Sequence, residues 1–232
     1  MSVLEAVDLA KVYRGGDGGV ITVLDGINLE VGRGEMVAVV GSSGAGKSTL
    51  LHLLGALDKP TRGDVRIDGQ TLAGRTDEDL SALRNRSVGF VFQFHHLLRE
   101  FTALENVMMP LRIAGWDDQR AAVRAEELLG RVGLGGRMMH RPAALSGGEQ
   151  QRTAVARALA IDPVVLLADE PSGNLDHMNS ERLHDLFEEL SRDLEIAMVI
   201  ATHNRALAAR ADRTLLLEDG RLTDTDVREV VP

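Results

Sequence analysis

The octapeptide GSSGAGKS at residues 41–48 constrains the fold of this chain more than any other feature. It matches the pattern G-x-x-x-x-G-K-[ST], in which glycines let backbone N–H groups approach phosphate, the lysine reaches the outer phosphates and the serine holds Mg²⁺. The β-branched run Val37–Val40 precedes it, and Lys47–Leu57 follows with the apolar spacing of a helix. A loop between a strand and a helix is the context that the motif requires. The sequence therefore predicts an α/β domain that binds phosphate.

Further apolar runs of strand length alternate with helical stretches along the chain. The runs are 88–92, 164–168, 196–201 and 214–217, and helical patterns such as 180–190 separate them. This alternation favours a mostly parallel sheet with helices on both faces. Residues 3–31 differ, because the glycine-rich stretch 15–19 and the pair Asp25-Gly26 interrupt them, which favours an antiparallel meander of shorter strands. Between Phe94 and Pro142 no strand pattern appears and 121–129 has helical composition, so we expect a helical subdomain inserted into the core.

Composition excludes several classes of protein. The 26 Lys and Arg against 35 Asp and Glu give a net charge of -9, so no overall positive field attracts nucleic acid. The chain has no Cys, which excludes disulfides, thiolate zinc sites and cysteine nucleophiles. No apolar stretch approaches the roughly 18 residues of a membrane span, and Glu5 and Asp8 are unlike the start of a signal peptide. We expect a soluble cytoplasmic protein that binds no nucleic acid.

Polar residues follow three of the apolar runs. Asp169 and Glu170 are adjacent at the end of one run, where open α/β sheets bind ligands. One of these acids can hold Mg²⁺ while the next orients or deprotonates an attacking water. His203 follows the run 196–201, so we expect it to contact phosphate. For Gln93, at the end of the run 88–92, a site residue and an ordinary polar strand end both stay open.

The sequence Ser146-Gly147-Gly148-Glu149 fits a helix capping box. A glycine-rich helix N-terminus is also an anion site, so one geometry can serve both purposes. A long stretch with the helical insertion separates this box from the phosphate loop, so the two cannot easily face one nucleotide within one chain. Two chains packed head to tail can place both on one ATP, which then lies in the interface and favours closure.

The motifs occur in one order together with LSGGEQQR at 145–152, and the chain resembles the nucleotide-binding subunits of ABC transporters over essentially its whole length. The resemblance implies one ABC ATPase domain over 1–232. Residues 1–93 and 153–232 would form an α/β phosphate-loop (RecA-like) core with a mostly parallel sheet and an N-terminal antiparallel β subdomain. Residues 94–152 would form the inserted α-helical subdomain with the signature motif.

The resemblance also implies the cofactors ATP and Mg²⁺ and a role for each site residue. The catalytic residues would be Glu170 as the catalytic carboxylate, His203 as the switch histidine and Gln93 as the Q-loop glutamine. The metal ligands would be Ser48, Gln93 and Asp169. The nucleotide-binding residues would be Tyr13 as the adenine-stacking aromatic, the Walker A residues Gly41, Ser42, Ser43, Gly44, Ala45, Gly46, Lys47, Ser48 and Thr49, the signature residues Ser146, Gly147, Gly148 and Glu149, and Asp176 of the D-loop. From the residues alone, Tyr13 packing against the N-terminal strands stays open.

Finer motifs are similar to one group within the family. FHHLLREFTALENV after Gln93, MHRP before the signature and PSGNLD after Glu170 resemble the lipoprotein-releasing group, whereas MacB and FtsE types usually differ after Gln93. The resemblance implies a homodimer beneath two transmembrane ABC subunits of the LolC/LolE type, at the cytoplasmic face of the bacterial inner membrane, with lipoprotein cargo. The segment 93–101, with the apolar side chains Phe94, Leu97, Leu98 and Phe101, is the expected coupling surface.

Three residues depart from the family's usual choice. Ser172 stands where many relatives carry Thr, Asn204 where they carry Asp, and Thr153 where an aliphatic residue is usual. Asn204 would remove a carboxylate beside His203 and change how strongly that ring favours its charged form. Two other readings are a soluble ABC ATPase of DNA repair or translation, and a module that closes on ATP without hydrolysis. The single cassette without Cys opposes the first, and the pair Asp169-Glu170 opposes the second.

Overall fold

Two β-sheets form the framework of the computed structural model, which describes residues 2–16 and 19–226. The strands are β1 (Ser2–Arg14), β2 (Val20–Gly32), β3 (Met36–Val40), β4 (Arg62–Ile67), β5 (Gln70–Thr71), β6 (Val88–Phe92), β7 (Val165–Asp169), β8 (Ala197–Ala201), β9 (Arg213–Glu218) and β10 (Arg221–Asp224). One sheet has the order β2-β1-β4-β5 and is antiparallel. The other has the order β10-β9-β3-β8-β7-β6 and is parallel except for β10. The predicted α/β class with a mostly parallel sheet is confirmed.

Helices fill the connections between the strands of the larger sheet. They are α1 (Lys47–Leu54), α2 (Asp77–Ser87), α3 (Ala103–Ile113), α4 (Asp118–Arg131), α5 (Gly147–Ala158), α6 (His177–Leu194) and α7 (Arg205–Ala208). Residues 94–164, all of them described, contain α3, α4, α5 and two short 3₁₀ turns, and no strand. The division at 94 and 152 into subdomains stays a prediction. Complete capping boxes start α2, α3 and α5, and the box that starts α5 is the one predicted at Ser146.

The parallel sheet is buried on both faces, and successive residues of each central strand enter different cores. On β7, Leu166 and Ala168 pack against α3 to α6, whereas Val165 and Leu167 pack towards α1 and the antiparallel sheet. The period of two places alternate side chains on opposite faces. Because both faces are apolar, the strand reads as a continuous hydrophobic run. This is why the runs at 88–92 and 196–201 were visible in the sequence.

The N-terminal prediction was partly wrong. Residues 3–31 form two strands of 13 residues each rather than several shorter ones. Asp25-Gly26 does not end β2, because Gly26 takes φ 70 in a bulge and the ladder to β1 continues on both sides. Residues 17 and 18 of the glycine-rich stretch, like 1 and 227–232 of the predicted domain, lie outside the described residues. The hairpin of β4 and β5, helix α2 and strand β10 were not predicted.

Across the described residues, none of the helices combines the length and the apolar character needed to cross a membrane.

Candidate nucleotide site

Four neighbouring parallel strands end in one row at the carboxyl edge of the larger sheet. The aligned residues, one each from β6, β7, β8 and β3, are Phe92, Asp169, Ala201 and Val39. Because the strands are in register, Gln93, Glu170 and His203 all leave the sheet close to this row. The carboxyl edge of a parallel sheet is where α/β folds bind ligands. The register therefore brings residues together that are far apart in the sequence.

A cavity of about 580 Å³ lies at this edge. Its lining consists of Val23, Gly41, Ser43, Gly44, Gly46, Lys47, Ser48, Thr49, Gln93, Asp169, Glu170 and His203. Every lining residue except Val23 was a candidate from the sequence. The volume falls in the range of small-molecule sites. The cavity therefore unites the phosphate loop with the acids, the glutamine and the histidine of the strand ends.

The phosphate loop is shaped by close backbone contacts. Gly46 caps α1 with φ 104, and a Cβ there would lie 2.9 Å from Val23 Cγ1. No side chain caps this helix, so the N–H groups of its first turn can receive an anion. Lys47 Nζ donates to the carbonyl oxygens of Gly41 at 2.8 Å and Ser42 at 3.1 Å. The ammonium group is thus held on the loop beside the cavity.

Glu170 and His203 form a pair across the ends of β7 and β8. Glu170 Oε2 lies 2.8 Å from His203 Nδ1 and accepts a hydrogen bond from the backbone N–H of His203 at 3.2 Å. The Glu170 side chain is 17% exposed, whereas that of His203 is 70% exposed. Glu170 has φ 46, a left-handed conformation that is uncommon outside glycine. Its N–H donates to Ala201 at 2.8 Å, which helps to hold this turn and aim the carboxylate at the cavity.

Gln93 is tied to the turn that follows Glu170. Its Nε2 donates to Asn174 Oδ1 at 3.1 Å, and Asn174 Nδ2 donates to the Gln93 carbonyl at 3.3 Å. An ordinary polar strand end can make the same bonds, so the role of Gln93 as a site residue stays a prediction. The pair connects the end of β6 to the segment 172–176.

Tyr13 does not line the cavity. It pairs with Ile21 across β1 and β2, so the two side chains share a face. The register of the two strands shifts at Val23, which does line the cavity. The Tyr13 hydroxyl donates to Asp58 Oδ2 at 3.0 Å, and Lys11 Nζ lies 4.9 Å from the ring centroid. Tyr13 is 41% exposed, so it can pack against the N-terminal strands on one side and still stack on a ligand with its exposed surface.

The box at Ser146 is separate from this cavity. Ser146 Oγ accepts from the N–H of Glu149 at 3.3 Å and donates to Glu149 Oε2 at 2.9 Å. Arg137 Nε donates to Glu149 Oε1 at 3.0 Å. The hydrogen bond from Arg137 and those from Ser146 lower the pKa of Glu149 to about 2. The carboxylate is therefore charged at neutral pH, and its oxygens already accept hydrogen bonds from Ser146 and Arg137.

Asp176 does not line the cavity and is linked to the signature residues through Asn179. It caps α6 by accepting from the N–H of Asn179 at 2.9 Å, and its other oxygen accepts from Asn179 Nδ2 at 2.7 Å. Asn179 also fills the space beside Gly148, where a Cβ would lie 2.5 Å from Asn179 Oδ1. The starts of α5 and α6 are packed together, so Asp176 and the box form a second cluster.

The three departures from the usual residues each have a local partner. Asn204 Oδ1 caps α7 by accepting from Leu207 at 3.1 Å, a role in which Asn and Asp are nearly equivalent. Thr153 Oγ1 donates to the Glu149 carbonyl at 2.8 Å. Ser172 Oγ lies 3.2 Å from Nε2 of the buried His184. For Asn204, the carboxylate beside His203 is supplied by Glu170 instead.

Sequence reasoning missed Val23 and Arg137 as parts of these two clusters, and it singled out Asn174 only as one residue of the motif PSGNLD. Val23 lies where the register between β1 and β2 shifts, so simple alternation along the strand does not mark it. Arg137 and Asn174 act through contacts between distant segments, and no local pattern marks those contacts.

Comparisons with known proteins agree with this geometry. The family model described as "ABC transporter" matches residues 24–173. The chain belongs to the ABC transporter family. The lipoprotein-releasing system ATP-binding protein LolD of Geobacter metallireducens is 56% identical, covering 95% of this chain and 98% of the relative. LolD of Cereibacter sphaeroides is 54% identical over 96% of this chain and 100% of the relative. This chain is thus an ABC ATPase most like LolD.

Solved structures of ABC cassettes have the same fold. A dimeric bacterial ABC transporter cassette has a TM-score of 0.88 and 37% identity, covering 97% of this chain and 99% of that one. A dimer in a post-hydrolysis state bound to ADP and Pi also has a TM-score of 0.88, with 36% identity and the same coverage. Members of this family bind nucleotide, so this chain is a nucleotide-binding protein.

We predict that Arg137→Met changes how stability depends on pH. Glu149 has a folded-state pKa of about 2 against an ordinary 4.5, so it stabilises the fold above pH 4.5 and loses this contribution as the pH falls towards 2. Without Arg137 the pKa of Glu149 rises, and the free energy of unfolding at pH 6 falls by about 1 kcal/mol. Denaturant unfolding from pH 6 to pH 3 should show a gap between wild type and variant that narrows below pH 4.5. A gap of constant size, or one that persists in a Glu149→Gln background, would contradict this.

Proposed function

We propose that this ABC ATPase works as a homodimer beneath two transmembrane subunits of the LolC/LolE type and energises the release of lipoproteins from the bacterial inner membrane. It would bind peripherally at the cytoplasmic face. Two relatives that share more than half of its residues over nearly the whole chain carry the name of the lipoprotein-releasing system. The observation that carries the catalytic part is the Glu170–His203 pair, which lies beside the phosphate loop.

In the proposed chemistry, the nucleotide occupies the cavity at the strand ends. The N–H groups at the start of α1 and the ammonium of Lys47 bind its phosphates, while the exposed ring of Tyr13 stacks on the adenine. Glu170 accepts a proton from the attacking water, since its carboxylate is held by two contacts from His203. The exposed ring of His203, which is paired with Glu170 through Nδ1, would contact the outer phosphate from the same side.

The donor set at the cavity suits Mg²⁺. Ser48, Gln93 and Asp169 all line it and offer a hydroxyl, an amide and one carboxylate oxygen. No cluster of three or more His, Cys, Asp or Glu side chains with metal-site spacing exists among the described residues. Mg²⁺ commonly binds through one or two carboxylates and substrate phosphates, so Asp169 as a single protein carboxylate is compatible with the ion. When bound, the ion would neutralise charge on the phosphates.

The signature residues act across the dimer in this proposal. Ser146, Gly147, Gly148 and Glu149 begin α5, and none of them lines the cavity of their own chain. Asp176 lies beside them through Asn179. Each ATP would lie between the phosphate loop of one copy and this cluster of the other. The dimeric ABC cassettes with the same fold support this arrangement.

The segment 93–101 is the proposed contact for the transmembrane subunits, and its residues 94–101, which follow Gln93, are called the docking segment below. Phe94 is 66% exposed and Leu98 is 42% exposed, while Leu97 and Phe101 are partly buried. Beside it runs a groove lined by Phe90, Phe92, Met109, Ile113 and neighbouring residues. Exposed aromatic and aliphatic side chains next to an apolar groove are typical of the centre of a protein interface.

We predict that Glu170→Gln retains ATP binding and lowers hydrolysis by about 10²- to 10⁴-fold, the range for losing a positioned base. The amide keeps the shape of the side chain and removes its charge and proton acceptor. The variant should accumulate as an ATP-bound dimer in size-exclusion chromatography. Glu189→Gln, an exposed change on α6, is the control. Wild-type turnover in Glu170→Gln would contradict the role given to Glu170.

We also predict that two inactive variants complement each other. Lys47→Ala should weaken ATP binding in its own chain, whereas Ser146→Arg should leave binding to the monomer intact and prevent dimerisation and turnover. A mixed dimer contains one site with both elements intact, so mixing the two proteins should restore part of the ATPase activity. An equal loss of ATP affinity in the two monomeric variants would contradict the role of Ser146 in the partner's site.

For the docking segment, Phe94→Ala should leave ATP hydrolysis and thermal unfolding of the free subunit unchanged and weaken its binding to the transmembrane subunits by about 2 kcal/mol or more. Val123→Ala, which is equally exposed on α4, is the control. Phe101→Ala should also lower the unfolding temperature, because that ring is partly buried. Unchanged docking by Phe94→Ala would contradict the surface.

The cargo is tested by reconstituting the complex in proteoliposomes with a triacylated lipoprotein and a soluble acceptor. We expect ATP-dependent appearance of lipoprotein in the supernatant. ATP-driven movement of a drug or peptide without lipoprotein release would favour a MacB-type function.

A further inference from the structure

Arg157, near the end of α5, directs its guanidinium at the docking segment. Nη1 donates to the carbonyl of His96 at 2.7 Å and Nη2 donates to the carbonyl of His95 at 2.9 Å. No carboxylate among the described residues lies within ion-pair distance of this group. Burial lowers the pKa of Arg157, yet a guanidinium stays charged. Burying a cation that has only two neutral carbonyls as partners costs folding free energy. The hydrogen bonds from Arg157 to the segment offset part of this cost.

Those two carbonyls are placed on either side of an unusual residue. His96 has φ 47, in the left-handed region that costs free energy for residues other than glycine. The carbonyl of His95 belongs to the peptide plane before His96, and the carbonyl of His96 to the plane after it. One guanidinium therefore fixes both planes and, with them, both backbone dihedral angles of His96. The chain turns here between the exposed side chains of Phe94 and Leu98.

Asn106 fixes the other end of the same segment. It is fully buried, its Oδ1 accepts from the N–H of Leu98 at 2.8 Å, and its Nδ2 donates to the Leu98 carbonyl at 3.1 Å. The backbone from His95 to Leu98 is thus held by one side chain from α5 and one from α3. The backbone between these anchors, which carries the side chains of His96 and Leu97, is therefore held at both of its ends.

Arg157 also connects the segment to the helix that carries the signature residues. Helix α5 begins at Gly147, directly after its capping residue Ser146. Ten residues separate Gly147 from Arg157, which is about 15 Å along a helix. The segment is therefore fixed near one end of a rigid element whose other end begins at Ser146.

We propose that Arg157 is a positioning residue that holds the turn at His96, so that Phe94 and Leu98 face the transmembrane partner and a force on them is passed along α5 to Ser146. This rests on the proposed function for the docking contact. The turn itself belongs to the free chain and can be measured without any partner.

The first experiment measures amide hydrogen exchange in the free wild-type chain and in Arg157→Met and Arg157→Lys. We expect peptides that cover 95–101 to exchange at least 10-fold faster in Arg157→Met, with β3 unchanged. Arg157→Lys can reach only one carbonyl, so its increase should be smaller; this variant also serves if Arg157→Met does not fold. Arg152→Met, on the same helix and also partly buried, is the matched control and should leave 95–101 unchanged. Unchanged exchange in Arg157→Met would overturn the proposal.

The second experiment compares ATP hydrolysis by the free chain with hydrolysis by the complex in proteoliposomes. Arg157→Met should keep the free rate and lose at least 10-fold of the stimulation by the transmembrane subunits, and Arg157→Lys should keep part of it. Equal losses in the free chain and the complex, with a lower unfolding temperature, would reduce Arg157 to a structural role and overturn the proposal. If the wild-type complex releases no lipoprotein, the proposed function fails, whereas the exchange measurement still decides whether Arg157 holds the turn.

Discussion

The register of four parallel strands is the constraint on which the rest of the molecule depends. Because the ends of β6, β7, β8 and β3 lie in one row, residues separated by more than 150 positions meet at one cavity. A slip of one residue in β7 would turn Asp169 to the other face of the sheet and break its relation to the phosphate loop. The register is strongly specified, since both faces of the sheet are buried and every central side chain has a core to enter.

The same double burial explains how much of the fold could be predicted from the sequence. The run 88–92 matches β6 residue for residue, and the run 196–201 differs from β8 only at its first position. The antiparallel sheet was harder, because a bulge at Gly26 lets a strand continue through a dipeptide that usually ends one. The hairpin at β4 and β5 and the edge strand β10 have mixed, half-exposed patterns that resemble loops.

The candidate site also has one part that the sequence predicts and one part that it does not. The residues of the phosphate loop and the strand ends could be predicted, since local motifs place them. Other features could not: the left-handed turn at Glu170, the bond between Gln93 and Asn174, and the contacts of Arg157 with the docking segment. These depend on which distant segments pack together, and a pattern in one segment carries no information about a partner far along the chain.

The capping box at Ser146 has a consequence for any ligand that reaches it from a second copy. Its hydroxyl is already committed to Glu149 in both directions, and Glu149 carries a full negative charge at the helix end that a phosphate would approach. An incoming anion must compete for the hydroxyl and face a like charge that Arg137 only partly neutralises. In the proposed dimer the signature residues would therefore bind the nucleotide weakly. Weak binding by this half of the site favours separation of the two copies once the outer phosphate has left.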